Sequence, residues 1–267
     1  MIDVYPDARA VGGAPLHVAA HLSKLGWCAR MITRLGRDPE GDLIRATLER
    51  HGVDVSLVET DEELATGTVT IHMSGTSHRF EIHKPAAWDA IQGPVGLPLH
   101  DVFLYGTLAA RCETSRATML RLLNGDCAMR VFDANLRPPD VDAALTRHAL
   151  SMATVCKVND DELIDVGEML GLAATPQALF EFAPRLEWLC VTKGGDGAKL
   201  HHRSGTRYSA PAPEVEIIDS VGAGDAFLAG LIDGLANRLP PPEVLEHALS
   251  TATSVLTTRG GLPNLRC

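Results

Sequence analysis

Runs of Val, Ile, Leu and Phe alternate with amphipathic stretches along most of the chain, and that rhythm predicts βα units around a mostly parallel central sheet, an α/β fold. The apolar runs at 101–105, 129–133, 154–158 and 188–192 read as buried strands. Between and beyond them, residues 16–25 bring Val18, Leu22 and Leu25 to one helical face, and Leu245, Leu249, Ala252 and Leu256 form a second such face near the end. Helices with these faces should cover both sides of the sheet. Asp38, Pro39 and Glu40 combine an N-cap, a first-turn proline and a dipole-favoured acid, which predicts a helix over 39–51.

One segment breaks the rhythm. TVTIHM at 68–73 and HRFEIH at 78–83 alternate at period two around SGTS at 74–77, the pattern of a β-hairpin. Its half-polar faces predict a small antiparallel sheet outside the main core, which could close over a cleft as a lid; an ordinary surface hairpin has the same pattern.

Composition narrows the classes. A chain of 267 residues that is 45% hydrophobic can bury a substantial core as one domain. The formal charge of −10, with both signs mixed along the chain, disfavours a nucleic-acid partner. Cys28, Cys112, Cys127, Cys156, Cys190 and Cys267 are scattered without a C-x-x-C pair, which points to reduced thiols in a cytoplasm. No apolar run approaches the roughly 18 residues that span a bilayer, and the first residues lack a signal-peptide layout, so neither a membrane partner nor export is expected.

The strongest chemical signal is DSVGAGDAF at 219–227, followed by an apolar helical stretch. A glycine-rich turn opening a helix aims backbone N–H groups and the positive helix end at an anion, and phosphate is the natural candidate. A bare G-x-G turn is equally well a structural helix start. Asp225 directly after it changes the balance, because phosphate would repel a carboxylate that performed no chemistry and bound no cation there. Phe227 stands where the third glycine of a dinucleotide fingerprint belongs, and no P-loop motif occurs.

The 219–227 segment closely resembles the C-terminal signature of the ribokinase/PfkB family of carbohydrate kinases. GGAPLHVA at 12–19 is similar to the family's N-terminal di-glycine signature, NDDE at 159–162 to its N-x-x-E motif, and VTKGGDG at 191–197 to its T-x-G nucleotide loop, all in family order. DANLRP at 133–138 and IDVYPD at 2–7 look most like the fructokinase subgroup. The resemblance implies a single ribokinase-like domain over 1–267, a small β-sheet lid from about 3–12 and 64–84, and transfer of a phosphoryl group from ATP to a primary hydroxyl of an unphosphorylated sugar, fructose first. It implies Asp225 as the base and the N–H groups of Gly222, Ala223 and Gly224 as the anion hole. Asp3, Gly13, His17, Asn135 and Arg137 would meet the sugar, and Asn159, Thr192, Gly194 and Gly197 the nucleotide. Glu162 would serve Mg²⁺ through water and Asp219 an activating K⁺. Asn159 and Glu162 also fit a helix capping box, and Arg137 a loop salt bridge. Family lids often pair, which makes a homodimer one implied assembly.

Two departures stand out. His17 occupies a position where the family signature usually has a substrate-touching asparagine, so the sugar could differ from fructose; His17 and His21, one turn apart, have no evident third ligand for a metal. The family's first buried strand normally precedes the position that Asp3 matches, and additional residues before Met1 are expected to complete it. Other acceptors that the resemblance leaves open are 2-keto-3-deoxygluconate and nucleosides such as adenosine, and a catalytically silent sugar-binding or regulatory relative is a further reading.

Overall fold

The computed structural model of the chain describes all residues except 75–76, 98, 258–259 and 263–267, together with the side chains of 73–79. Two sheets dominate. A four-stranded sheet has the order β2 (Arg9–Val11), β1 (Ile2–Val4), β5 (Thr68–Ser74), β6 (Ser77–Ile82). The predicted hairpin is its β5–β6 pair, whose turn lies outside the described residues. The sheet is not purely antiparallel as expected: β1 joins β5 in parallel, with Asp3 opposite Val69. Strands β3 (Thr33–Gly36) and β4 (Val58–Asp61) form a separate parallel pair.

The second sheet carries six strands in the order β12 (Arg207–Ala210), β11 (Ala198–His202), β10 (Trp188–Thr192), β9 (Val155–Asn159), β8 (Cys127–Asp133), β7 (His100–Tyr105). Strands β7 to β10 are parallel neighbours and β11 and β12 add antiparallel edges, so the sheet is parallel where the apolar runs predicted it.

Successive side chains on a strand face opposite sides, and here that alternation sorts the core into two layers. Phe132, Cys156, Val158, Leu189 and Val191 pack with α3 (Glu113–Leu123), α4 (Ala143–Met152), α5 (Asp160–Leu170) and α6 (Pro176–Phe182). Val131, Val155, Cys190 and Leu200 pack with α1 (Ala14–Lys24), α7 (Ala223–Ala236) and α8 (Pro241–Leu256). Burying side chains such as Phe132 and Leu189 contributes about 1.5–3 kcal/mol each. The face expected on α8 is present, with Val255 buried in place of Leu256.

Helix α2 (Pro39–Arg50) begins where predicted. Asp38 accepts from the Gly41 N–H at 2.7 Å and also from the Thr66 N–H at 2.7 Å, so the cap that starts the helix also anchors the chain entering β5.

Candidate active site

In open parallel sheets ligands gather beyond the carboxyl ends of the strands, and the sequence-predicted residues converge there. Asp133 ends β8, Asn159 ends β9 and Thr192 ends β10, with Asn159 and Thr192 opposite each other in register. Helix α7 points its first turn at this edge. Gly222, its N-cap, has φ 75°, and a Cβ there would overlap Gly261, so both backbone sign and close approach require glycine. Ala223, Gly224 and Asp225 follow as the first turn, whose N–H groups have no partner within the helix.

The Asp225 side chain keeps 17% of its surface exposed, and its Oδ2 lies 2.8 Å from Nδ1 of His17. His17 is buried, and its Nε2 has no hydrogen-bond partner among the described residues. At residue 17, where a sugar contact was expected, the imidazole is turned to the Asp225 carboxylate and closed in by Gly261, where a Cβ would press on its ring. His21, one turn on, donates from Nε2 to the Gly261 carbonyl at 3.1 Å. Burial lowers its pKa to about 4 against that hydrogen bond, which fixes it as a neutral donor.

Asp3 approaches from the small sheet. Burial raises its pKa; His17 opposes the shift, and the charge of Asp225 adds to it. The two glycines beside it divide the work: a Cβ on Gly12 would overlap the Asp3 carboxylate, and Gly13, at φ 115°, is the N-cap of α1. After β8, Asn135 takes the left-handed conformation at φ 35°, which asparagine tolerates. Arg137 makes no salt bridge among the described contacts; its guanidinium lies 5.5 Å over the Phe80 ring of β6 and donates to the Leu136 carbonyl.

Asn159 and Glu162 form the capping box that their spacing allows. The Glu162 N–H donates to Asn159 Oδ1 at 2.7 Å, and the Asn159 N–H to Glu162 Oε2 at 2.9 Å. Glu162 Oε1 accepts the Leu136 N–H at 3.1 Å, which ties the 135–137 loop to α5. Each carboxylate oxygen thus holds a backbone donor and has lone-pair capacity left for water, which fits a metal's hydration shell better than direct ligation.

Sequence reasoning missed Lys157. Its ammonium is buried inside β9, 2.9 Å from Asp133 Oδ1 and near the Gly224 backbone. Burial pulls its pKa down, yet Asp133, then Glu162 and Asp225, hold it well above the ordinary lysine value, so it carries a fixed positive charge. A charged residue on the inner part of an apolar strand was the available signal.

Thr192 ends β10, and Gly194 and Gly197 follow with φ 52° and 91°. Gly197 is required by packing, since a Cβ there would overlap the Ala210 carbonyl. Beside it opens a groove of about 610 Å³ lined by Ala210, Pro211 and Pro213 and by Leu249, Ser250 and Thr253 of α8, of which the sequence reading named Leu249 alone, and as a core position. Asp219 accepts the N–H groups of Val221 at 3.0 Å and Gly260 at 2.9 Å, fastening the glycine-rich turn to the segment after α8.

A model described as pfkB family carbohydrate kinase matches residues 8–266. The chain is 31% identical to the fructokinase of Klebsiella pneumoniae, over 98% of this chain and 90% of that one. It is 26% identical to the aminoimidazole riboside kinase of Salmonella typhimurium, over 99% and 89%. The solved structure of a sugar kinase from Pyrococcus horikoshii in complex with ATP superposes with a TM-score of 0.85, at 22% identity over 98% of this chain and 92% of that one.

Proposed function

The chain belongs to the pfkB family of carbohydrate kinases, phosphotransferases with an alcohol acceptor and a ribokinase-like fold, and from that membership we propose that it phosphorylates a primary hydroxyl of an unphosphorylated sugar, D-fructose, with ATP. The observation that carries the reading is the placement of a partly exposed Asp225 carboxylate at the first turn of α7, with Asp3 facing it.

Phosphoryl transfer asks a protein mainly to position reactants and stabilise spreading negative charge. In this reading Asp225 accepts the proton of the attacking hydroxyl. The N–H groups of Gly222, Ala223 and Gly224 receive the transferring phosphoryl group, and Lys157 supplies a positive field behind them. Asp3, Gly13, Asn135 and Arg137 orient the sugar. The adenosine half of ATP lies in the groove between the β12 end and α8, beside Gly194 and Gly197, with the phosphates running past Thr192 and Asn159. Asn159 and Glu162 would hold Mg²⁺ through water, where the ion would neutralise phosphate charge. The Asp219 loop is the candidate K⁺ position. The five described cysteines are free, in keeping with a cytoplasmic enzyme.

The test is coupled ADP release across a panel of sugars, sugar acids and nucleosides. Fructose should be turned over best. Turnover of a nucleoside with no fructose activity would move the assignment toward the riboside kinase side of the family.

A further inference from the structure

His17 is the one residue of the di-glycine segment whose side chain reaches the candidate base. Its Nδ1 stands 2.8 Å from Asp225 Oδ2, across 208 residues of sequence, and its side chain is 4% exposed. A carboxylate oxygen accepts, so Nδ1 carries the proton that it donates. The other ring nitrogen, Nε2, is buried without a hydrogen-bond partner among the described residues. A side chain present only to fill space would do so without an unsatisfied polar atom, and Leu or Phe would serve better. The ring is also fixed in place: Gly261 packs on Cε1 and Nδ1, and Gly261 is in turn held by His21 and abuts Gly222.

We propose that His17 is a positioning residue for Asp225: its Nδ1–H holds Oδ2 so that Oδ1 alone is presented to the acceptor hydroxyl, and residue 17 makes no contact with the sugar. This rests on Asp225 being the base. A carboxylate side chain turns broadly about its last torsion, and one short hydrogen bond from a packed ring restricts it to one rotamer and one free oxygen. The bond persists through the reaction, because a proton captured on Oδ1 leaves Oδ2 an acceptor. Other charged and titratable groups around the ring are Asp3 on β1, His21 on α1 and His51 after α2, and none of them donates to Asp225 in its place.

The geometry specifies which replacement should work. Asparagine places its Nδ2 near the position of Nδ1, whereas glutamine places its terminal nitrogen near Nε2. His17→Asn should therefore retain most of kcat and His17→Gln should not. His17→Phe, which keeps the ring and removes both nitrogens, should lower kcat about tenfold or more, the scale of losing a bond that orients a base, while the KM values for sugar and ATP stay within about twofold. Steady-state kinetics of the three variants, with thermal unfolding on the same preparations, reads all of this, and the Asn and Gln pair decides the matter if the Phe variant does not fold. A raised sugar KM with kcat kept would make His17 a sugar contact and overturn the proposal, as would equal rescue by Asn and Gln. Asp225→Asn serves as the reference: if it retains kcat the base reading itself fails, and if it abolishes kcat while His17→Phe does not lower it, the positioning role alone fails.

Discussion

Nζ of Lys157 and Oδ1 of Asp133 meet at 2.9 Å from directly paired register positions of β9 and β8, both side chains buried. Removing one partner leaves an uncompensated charge, so Lys157→Met should destabilise the protein by about 3–5 kcal/mol in urea unfolding. Because the lysine pKa is raised in the folded state, the stability linked to its protonation is fully present below the unfolded value of about 10.4 and is lost as pH climbs beyond it, while burial outweighs the lysine at Asp133 and raises that carboxyl's pKa. A Lys157→Met protein as stable as the parent at pH 8 would show that the pair contributes nothing.

Asp225→Asn keeps the size of the side chain and removes the proton acceptor. Its kcat should fall roughly 10²- to 10⁴-fold with ATP affinity and circular dichroism unchanged. Asp219→Asn alters a residue that fastens backbone N–H groups, and it should give a smaller defect, partly recovered at high K⁺. Retention of kcat within about threefold in Asp225→Asn, less than the loss of a general base removes, would exclude it as the base.

The four-stranded sheet should close on the sugar. Its β5–β6 side meets the body through Arg137 over Phe80, Arg111 donating to the His83 carbonyl and Lys84 paired with Asp140, polar contacts that can be remade, while Ile2 of β1 packs with Leu16 and Ala19 of α1 and anchors the other side. Hydrogen exchange with fructose and a non-hydrolysable nucleotide should slow over 3–12 and 64–84. Equal exchange with and without ligands in both segments would argue against closure.

His21 supplies an acid-side prediction. Folded, it titrates at about 4 because of burial; unfolded, near 6.5. The unfolded chain therefore binds the extra proton between those values, and stability falls as pH drops through that window, by about 3 kcal/mol at most. His21→Gln, which keeps a donor toward Gly261, should show a shallower loss between pH 7 and pH 4.5. Identical pH dependence in the two proteins would assign the acid loss elsewhere.

Local periodicity carried the strands of the parallel sheet, since burial on both faces demands unbroken apolar runs, and the Asp38-Pro39 pair carried the start of α2. The glycine-rich turn was legible because φ 75° and the contact with Gly261 leave no other residue for position 222. What stayed hidden depended on distant partners. Nothing near His17 in sequence indicates Asp225, and its place in the di-glycine segment favoured a sugar contact. Asn159 and Glu162 satisfied two patterns at once, and only the 2.7 and 2.9 Å hydrogen bonds show that the cap is made. The groove on α8 was invisible for a related reason: its lining lies beside core positions on the same helix, and Leu249 belongs to both.

Strand β9 contributes Lys157 toward β8 and Asn159 toward Thr192 of β10 through one continuous register. A strand's side chains invert with every one-residue shift. Deleting a single residue early in β9 would thus turn the lysine out of its ion pair and the asparagine off the nucleotide edge together, while the run stayed apolar enough to remain a strand. Insertions and deletions in this segment should accordingly remove activity even where the protein still folds.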